Sequence, residues 1–342
     1  MTAQAAQQDT KSEDNPLDRL STLLRDDMVR VNEKILTHMQ ADVALIPQLA
    51  GYLIASGGKR IRPLLTLAAT MLSGGDMNRA YGLAASVEFI HTATLLHDDV
   101  VDGSLARRGK DTANLVFGNQ ASVLVGDFLF SRAFQLMVKD GSLEILRILS
   151  DASAIISQGE VKQLATTNNL QTTMNDYIEV ISAKTAALFA AACEIGPVIA
   201  GQDLSAQIAL RDYGLNLGIA FQIADDVLDY NADQKKLGKT IGDDFREGKM
   251  TAPILLALEN ATPPERSFWQ RTIGQKQQND DDLMQAMEIL ERHNALHKGL
   301  EMARTYGKKS VTALHNIKGG TQNEPLAAAL SGLVEFSINR GY

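Results

Sequence analysis

From Pro16 onward, apolar residues recur at three- and four-residue spacing, and this pattern predicts helix over nearly the whole chain. Stretches 17–40, 44–56, 62–73, 78–102, 119–138, 142–166, 174–200, 203–230 and 250–260 all carry it. Glycine-rich and polar runs separate them: "SGGKR" at 56–60, "SGGD" at 73–76, "KDGS" at 139–142 and "NADQKKLGKTIGDDFREGK" at 231–249. Helices continue in the last third, with polar breaks at 262–266 and 275–282 and a loop at 316–325 before a final short helix. No run alternates apolar and polar residues as a half-buried strand would. The chain reads as all-α. No flexible linker divides it, so residues 17–342 are expected to form a single domain, with residues 1–16 a disordered lead-in.

Stretches 78–102 and 213–230 are apolar nearly all round, as helices enclosed by others are. Each ends in a run of acids. Asp98, Asp99 and Asp102 close the first; Asp225, Asp226 and Asp229 close the second. Both read D-D-x-x-D. On a helix the first and third aspartates fall about 40° apart, and the middle one about 100° round the side. Gln222 shares the stripe of Asp229, and His91 that of Asp98. Like charges this close repel, and one such cluster alone could be a solvated acidic face. Two copies at the ends of two apolar helices point to hard divalent cations. Mg²⁺ takes one or two carboxylates, keeps waters and completes its shell with substrate phosphate, so the paired clusters are expected to hold several Mg²⁺ around one diphosphate.

The cations suit that anion. "GGKRIRP" supplies Lys59, Arg60 and Arg62; Arg107 and Arg108 follow the first cluster; "SAKTAAL" supplies Lys184 and Thr185; Lys239 and Lys249 follow the second cluster. Each alone reads as an ordinary surface residue. Their grouping with the aspartates makes them candidate phosphate ligands.

Composition narrows the choice further. The chain has 342 residues, 45% hydrophobic and 22% charged, an ordinary globular balance. Its net charge of −8 disfavours a nucleic-acid partner. The one cysteine, Cys193, lies in an apolar run and reads as a buried, inert thiol. No uninterrupted apolar run approaches the roughly 20 residues of a membrane span. The N-terminal residues lack a signal-peptide core and the arginine-rich bias of a transit peptide, so a cytoplasmic location is expected. "GKT" at 238–240 is no phosphate loop, since that motif needs glycine where Asp233 stands. "HDD" at 97–99 hints at a metal hydrolase, but only six histidines are present. No Gly-x-Ser-x-Gly, His-Glu-x-x-His or strand-borne Gly-x-Gly-x-x-Gly occurs.

Together "GGKRIRP", "LLHDDVVDGSLARRG", "KT", "FQIADDVLDY" and "GKTIGDD…GKMTAP" resemble the trans-prenyltransferases, the head-to-tail isoprenyl diphosphate synthases. The likeness runs from about residue 17 to the C-terminus and is strongest to bacterial long-chain enzymes of the octaprenyl to decaprenyl kind, which make quinone tails. It implies an isoprenoid synthase fold, antiparallel helices around a central cavity, and a homodimer. It implies that Asp98 and Asp102 bind Mg²⁺ on the allylic diphosphate with Asp99 assisting, and that Asp225, with Asp226 and Asp229 beside it, holds the remaining Mg²⁺, three ions per site. Arg107, Lys184, Thr185, Gln222, Lys239 and Lys249 would contact the allylic diphosphate. Lys59, Arg62, His91 and Arg108 would hold isopentenyl diphosphate. Gly103 stands where the family often has an acid, a departure that touches none of these roles.

The reaction so implied ionises the allylic diphosphate, and the double bond of isopentenyl diphosphate attacks the resulting cation. The departing diphosphate then serves as base. Repetition needs room for the tail, with membrane contact expected at product release. In the family, the residues four and five before the first aspartate form a floor. Here these are the small Thr94 and Ala93, which implies a long product. Alternatives are a shorter-chain synthase, a terpene cyclase, whose second metal motif mixes Asn/Asp, Ser/Thr and Glu, and a non-catalytic synthase subunit, which would normally have lost one aspartate motif.

Overall fold

Local caps start several of the helices. Asn15 accepts from the Leu17 amide ahead of Pro16, and Asp76 accepts from the Asn78 amide at 2.9 Å. Thr173 with Asp176, and Thr262 with Glu265, form reciprocal capping boxes. The computed structural model describes residues 15–55, 58–107, 110–231, 241–317 and 323–339. In chain order these form α1 Pro16–Leu23, α2 Arg25–His38, α3 Leu45–Ala55, α4 Ile61–Leu72 and α5 Met77–Val101. There follow β1 Ala106–Arg107, β2 Lys110–Asp111, α6 Ala113–Phe117, α7 Asn119–Asp140, α8 Leu143–Thr166 and α9 Met174–Ile181. A π-turn, Ser182–Ala186, joins α9 to α10 Ala187–Ile199. The remainder is α11 Leu204–Leu228, α12 Asp243–Glu247, α13 Ala252–Glu259, α14 Pro263–Trp269 with a π-turn at Gln270–Gly274, α15 Asp282–Arg292, α16 Ala295–His315 and α17 Glu324–Asn339. Among the described residues, the only strands are the paired dipeptides β1 and β2, with Ala106 opposite Asp111.

The sequence pattern and the structure differ in several places, among them the short α12 inside the separator expected at 231–249. Stretch 17–40 is two helices, because Leu24 leaves helical geometry at φ −114°, ψ 20° while its side chain is fully buried. Stretch 174–200 is interrupted by the π-turn. The polar break at 262–266 is in fact the start of α14, where Pro263 and the Thr262–Glu265 box begin a helix. Asp229 and Tyr230 lie just past the end of α11.

The chain divides into two compact units. The first comprises Met1–Ser153, Ala191–Arg211 and Asn316–Leu330; the second comprises Ala154–Ala190, Asp212–His315 and Ser331–Tyr342. Four of the boundaries fall inside α8, α10, α11 and α17, which is why no linker marks them in the sequence.

In the first unit α5 is enclosed as its composition predicts, with residues 83–90, Ala93 and Leu96 all buried. It packs on α7, where Ser86 donates to the Ala133 carbonyl at 3.2 Å. Among the described residues α7 is the one helix long and apolar enough to cross a membrane by length and composition. One face of it, Ser122, Val125, Gly126, Leu129, Ala133 and Leu136, is buried. The α10 backbone comes against α4 at Gly196, where a Cβ would stand 2.5 Å from the Ala69 carbonyl carbon. Cys193 on α10 is buried, and burial pushes its thiol up from the ordinary range.

In the second unit an aromatic cluster joins Phe245 on α12 to Phe268 and Trp269 on α14, with the last two ring centroids 5.0 Å apart. Trp269 is fully buried. This cluster anchors α12, whose first turn is held from the other side by the second aspartate motif.

Candidate active site

Within the first unit, α5 delivers the first aspartate motif at its C-terminal end. Asp102 is the C-cap, and its amide donates to the Asp98 carbonyl at 2.8 Å, so the helical turn that stacks the two carries through. Asp98 and Asp102 are half-buried, whereas Asp99 is buried at 2% exposure. Asp99, Leu95, His91 and Glu88 share a side of α5, and with Arg60 and Met39 they line one pocket. Arg62 Nη1 lies 3.2 Å from His91 Nε2, so two of the expected isopentenyl-diphosphate residues meet. Lys59 is exposed on the loop before α4. Its neighbour Arg60 is in the left-handed region at φ 48° and is ion-paired with Glu88. Arg108 lies outside the described residues; Arg107 belongs to β1, but its side chain also lies outside them. His97 turns to α7, with Nε2 3.1 Å from the Val123 carbonyl and 3.5 Å from Asp127.

Within the second unit, the three aspartates that look alike in sequence have three different environments. Asp225 is exposed. Asp226 is buried, and both its oxygens are engaged: Oδ1 accepts from Gln222 Nε2 at 2.8 Å and Oδ2 from the Tyr177 hydroxyl at 2.6 Å. Asp229 accepts the amides of Asp243 and Asp244 at 3.2 and 3.0 Å, and so caps α12. Burial pushes Asp226 up to about 7, against the pull of its two hydrogen bonds and with the nearby Asp225 adding to the rise. Burial likewise raises Asp229 to about 6, opposed by the two amides. Burial and the charges of Asp226 and Asp229 push Asp244 up as well.

The π-turn carries the next pair. Thr185 Oγ1 donates to Gln222 Oε1 at 2.8 Å, and Lys184 Nζ lies 2.7 Å from Glu160 on α8. A π-turn places one extra residue in the helix, which lets two adjacent side chains reach different helices. Tyr177, Lys184, Gln222, Asp226, Asp244 and Lys249 line one cavity. Lys249 is ion-paired with Glu247. Lys239 lies outside the described residues.

Three residues of this site escaped sequence reasoning. Glu160 and Tyr177 sit in ordinary helical patterns and carry no local signal. Asp244 lies inside a quoted motif, but its convergence with Asp226 and Asp229 is a tertiary fact. On the first unit's side, Ala93 is fully buried, while Thr94 is half-buried with its hydroxyl on the His91 carbonyl at 2.8 Å.

The donor chemistry bears on metal binding. Among the described residues no three His, Cys, Asp or Glu side chains form a ready cage. What the motifs offer is carboxylate oxygen alone, from Asp98, Asp102 and the exposed Asp225. Each motif, taken by itself, thus offers ligands that suit a hard cation drawing the rest of its shell from water and a bound anion.

Residues 43–290 match the model of a family described as polyprenyl synthetase. The chain is 43% identical over 325 residues to the octaprenyl diphosphate synthase of Escherichia coli, covering 95% of this chain and 99% of that protein. Its fold is similar to the crystal structure of a polyprenyl synthase from Caulobacter crescentus complexed with calcium and isoprenyl diphosphate. The TM-score is 0.90 at 51% identity, covering 95% of this chain and 98% of that one. A decaprenyl diphosphate synthase from Rhodobacter capsulatus matches with TM-score 0.90 at 47% identity, covering 96% and 100%.

Proposed function

The chain belongs to the polyprenyl synthetase family and is a prenyltransferase with the all-α isoprenoid synthase fold, and on that premise we propose that it extends an allylic diphosphate such as farnesyl diphosphate with isopentenyl diphosphate to an all-trans chain of octaprenyl to decaprenyl length. The octaprenyl and decaprenyl relatives support the length. The Caulobacter relative, seen with calcium and isoprenyl diphosphate, supports divalent-metal dependence and the substrate class. Mg²⁺ is the proposed ion, at three per site, and a quinone side chain the proposed use.

One observation carries the site assignment. Lys184 from the π-turn, Gln222 and Asp226 from α11, and Lys249 from the segment before α13 converge on one cavity. Lys184, Gln222 and Lys249 are residues that the sequence resemblance had grouped around an allylic diphosphate, and Asp226 is one that it had placed beside the Mg²⁺ held there.

In this reading Lys184, Lys249, Thr185 and Gln222 grip that diphosphate, with Arg107 and Lys239 completing the set. Asp98, Asp102 and Asp225 would ligate Mg²⁺, which when bound neutralises charge growing on the leaving group. Asp99, Asp226 and Asp229 act from within the protein. Fixed cations aimed at the departing oxygen stabilise the charge-separated transition state because they need no reorganisation as charge develops. Lys59, Arg62, His91 and Arg108 hold isopentenyl diphosphate, and orientation of its double bond supplies much of the remaining acceleration. The released diphosphate takes the proton. Small side chains at Ala93 and Thr94 leave the tail room to grow.

A homodimer is supported by α7, which exposes Val123, Leu124, Phe134 and Val138 away from its buried face. A cytoplasmic site of action with brief membrane contact at product release completes the proposal.

The test is incubation of the purified protein with farnesyl diphosphate, radiolabelled isopentenyl diphosphate and Mg²⁺, followed by dephosphorylation and chromatography. Chains of octaprenyl to decaprenyl length are expected. Products that stop at geranylgeranyl length would favour the shorter-chain alternative, and no incorporation would overturn the reading.

A further inference from the structure

The second aspartate motif is fastened by a residue that neither sequence motif includes. Tyr177, on α9, is 3% exposed, and its hydroxyl donates to Asp226 Oδ2 at 2.6 Å. Tyr177 thus ties α9 to α11, and it lies on the wall of the same cavity as Lys184, Gln222 and Lys249.

The line continues through side chains. Asp226 Oδ1 accepts from Gln222 Nε2, and Gln222 Oε1 accepts from Thr185 Oγ1, both at 2.8 Å. An amide beside a carboxylate must present its NH₂, since its oxygen there would set two acceptors face to face. Asp226 therefore dictates which way Gln222 points, and Gln222 dictates where the Thr185 hydroxyl points. Without the tyrosine hydroxyl, Asp226 Oδ2 would sit buried without that donor, and a carboxylate in that position rotates or reorganises.

We propose that Tyr177 is the positioning residue of the allylic-diphosphate half of the site: through Asp226 it orients Gln222 and Thr185. The proposal rests on the function argued above. It assigns no chemistry to Tyr177.

The experiment compares wild type with Tyr177→Phe, which keeps the ring and removes only the hydroxyl. Initial rates are measured with each substrate varied in turn, and binding of an unreactive allylic thiolodiphosphate with Mg²⁺ is followed by calorimetry. The expected result is a KM for the allylic diphosphate raised about tenfold, the fold-change of a lost hydrogen bond to a charged group, with the KM for isopentenyl diphosphate within twofold. The analogue should bind about tenfold more weakly. Asp226→Asn is the second variant. It keeps the size of the side chain but no longer dictates which way the Gln222 amide faces. It should raise the allylic KM with the KM for isopentenyl diphosphate within twofold, and it decides the matter if Tyr177→Phe does not fold. Equal rises in both KM values, or a lower melting temperature with both unchanged, would overturn the proposal while leaving the function intact. A wild type that incorporates no label would overturn both.

Discussion

Arg62 Nη1 stands 3.2 Å from His91 Nε2, and the direction of that hydrogen bond follows from chemistry alone. A guanidinium has no acceptor, so Nε2 supplies the lone pair and the imidazole proton resides on Nδ1. The two side chains come from different elements, α4 and α5, and hold each other in place. His91→Ala removes the acceptor and should raise the KM for isopentenyl diphosphate about tenfold, leaving the allylic KM within twofold. Steady-state rates with each substrate varied measure this; unaltered isopentenyl-diphosphate kinetics would exclude His91 from that subsite.

The three environments of the second motif predict an order of sensitivity to metal. Asp225 is the exposed member, and Asp226 and Asp229 are the members with buried or helix-capping roles. Asp98→Ala and Asp225→Ala should each lower turnover by about 10²-fold or more even in excess Mg²⁺. Chelation should abolish wild-type activity, and restored Mg²⁺ should recover it. Near-normal rates in either variant would remove that carboxylate from the metal set.

Gly159 is the close approach that seats the π-turn. A Cβ there would stand 2.8 Å from Ala183 Cβ and 2.9 Å from the Lys184 amide nitrogen. Gly159→Ala should destabilise the protein by about 1–3 kcal/mol and raise the allylic KM by displacing Lys184. Denaturant midpoints and kinetics check both; a variant as stable as wild type would show that α8 can move aside.

Thr94 and Ala93 are adjacent but not equivalent. Thr94 is half-buried, whereas Ala93 is fully buried in the packing around α5. Thr94→Phe should shorten the product to three or four isoprene units, as the proposed floor requires. Ala93→Phe should instead cost about 1–3 kcal/mol of stability by overpacking. Chromatography of dephosphorylated products tests the first, and thermal melting the second.

Glu265 makes stability depend on pH. Burial by itself would raise its carboxyl, but the Thr262 amide and hydroxyl with His293 and Arg292 outweigh that and hold it down at about 2. Because the folded value lies below the ordinary 4.5, the stabilisation is present above about pH 4.5 and is lost as pH falls toward 2. Glu265→Gln should lower stability at pH 7 by at least the roughly 1 kcal/mol of a lost helix cap and flatten this acid limb. Denaturation midpoints at pH 7 and pH 3 measure it; an unchanged slope would refute the assignment.

Much of the molecule was legible before any coordinates. The 3.6-residue recurrence of apolar positions identified α4, α5, α7, α8 and α11 to within about two residues, because a helix that buries one face must repeat that way. The enclosure of α5 followed from its all-round apolarity. Both D-D-x-x-D motifs and their cationic companions stood out because charge at the end of an apolar helix needs an explanation.

What the chain by itself could not disclose was how identical letters differ in role. Asp225, Asp226 and Asp229 became an exposed carboxylate, a buried hydrogen-bonded anchor and a helix cap only once Tyr177, Gln222 and the α12 amides were in place. The ion pair of Arg60 with Glu88 joins the residue before α4 to α5, and no local pattern announces it. The π-turn at Ser182–Ala186 has no residue signature, since its looser hydrogen bonding is compensated by contacts to α8 and α11. Periodicity and composition report on a chain's own backbone preferences and its exchange with water, and these are local quantities. A carboxylate's partner is set by where distant segments converge, and only the folded packing decides that.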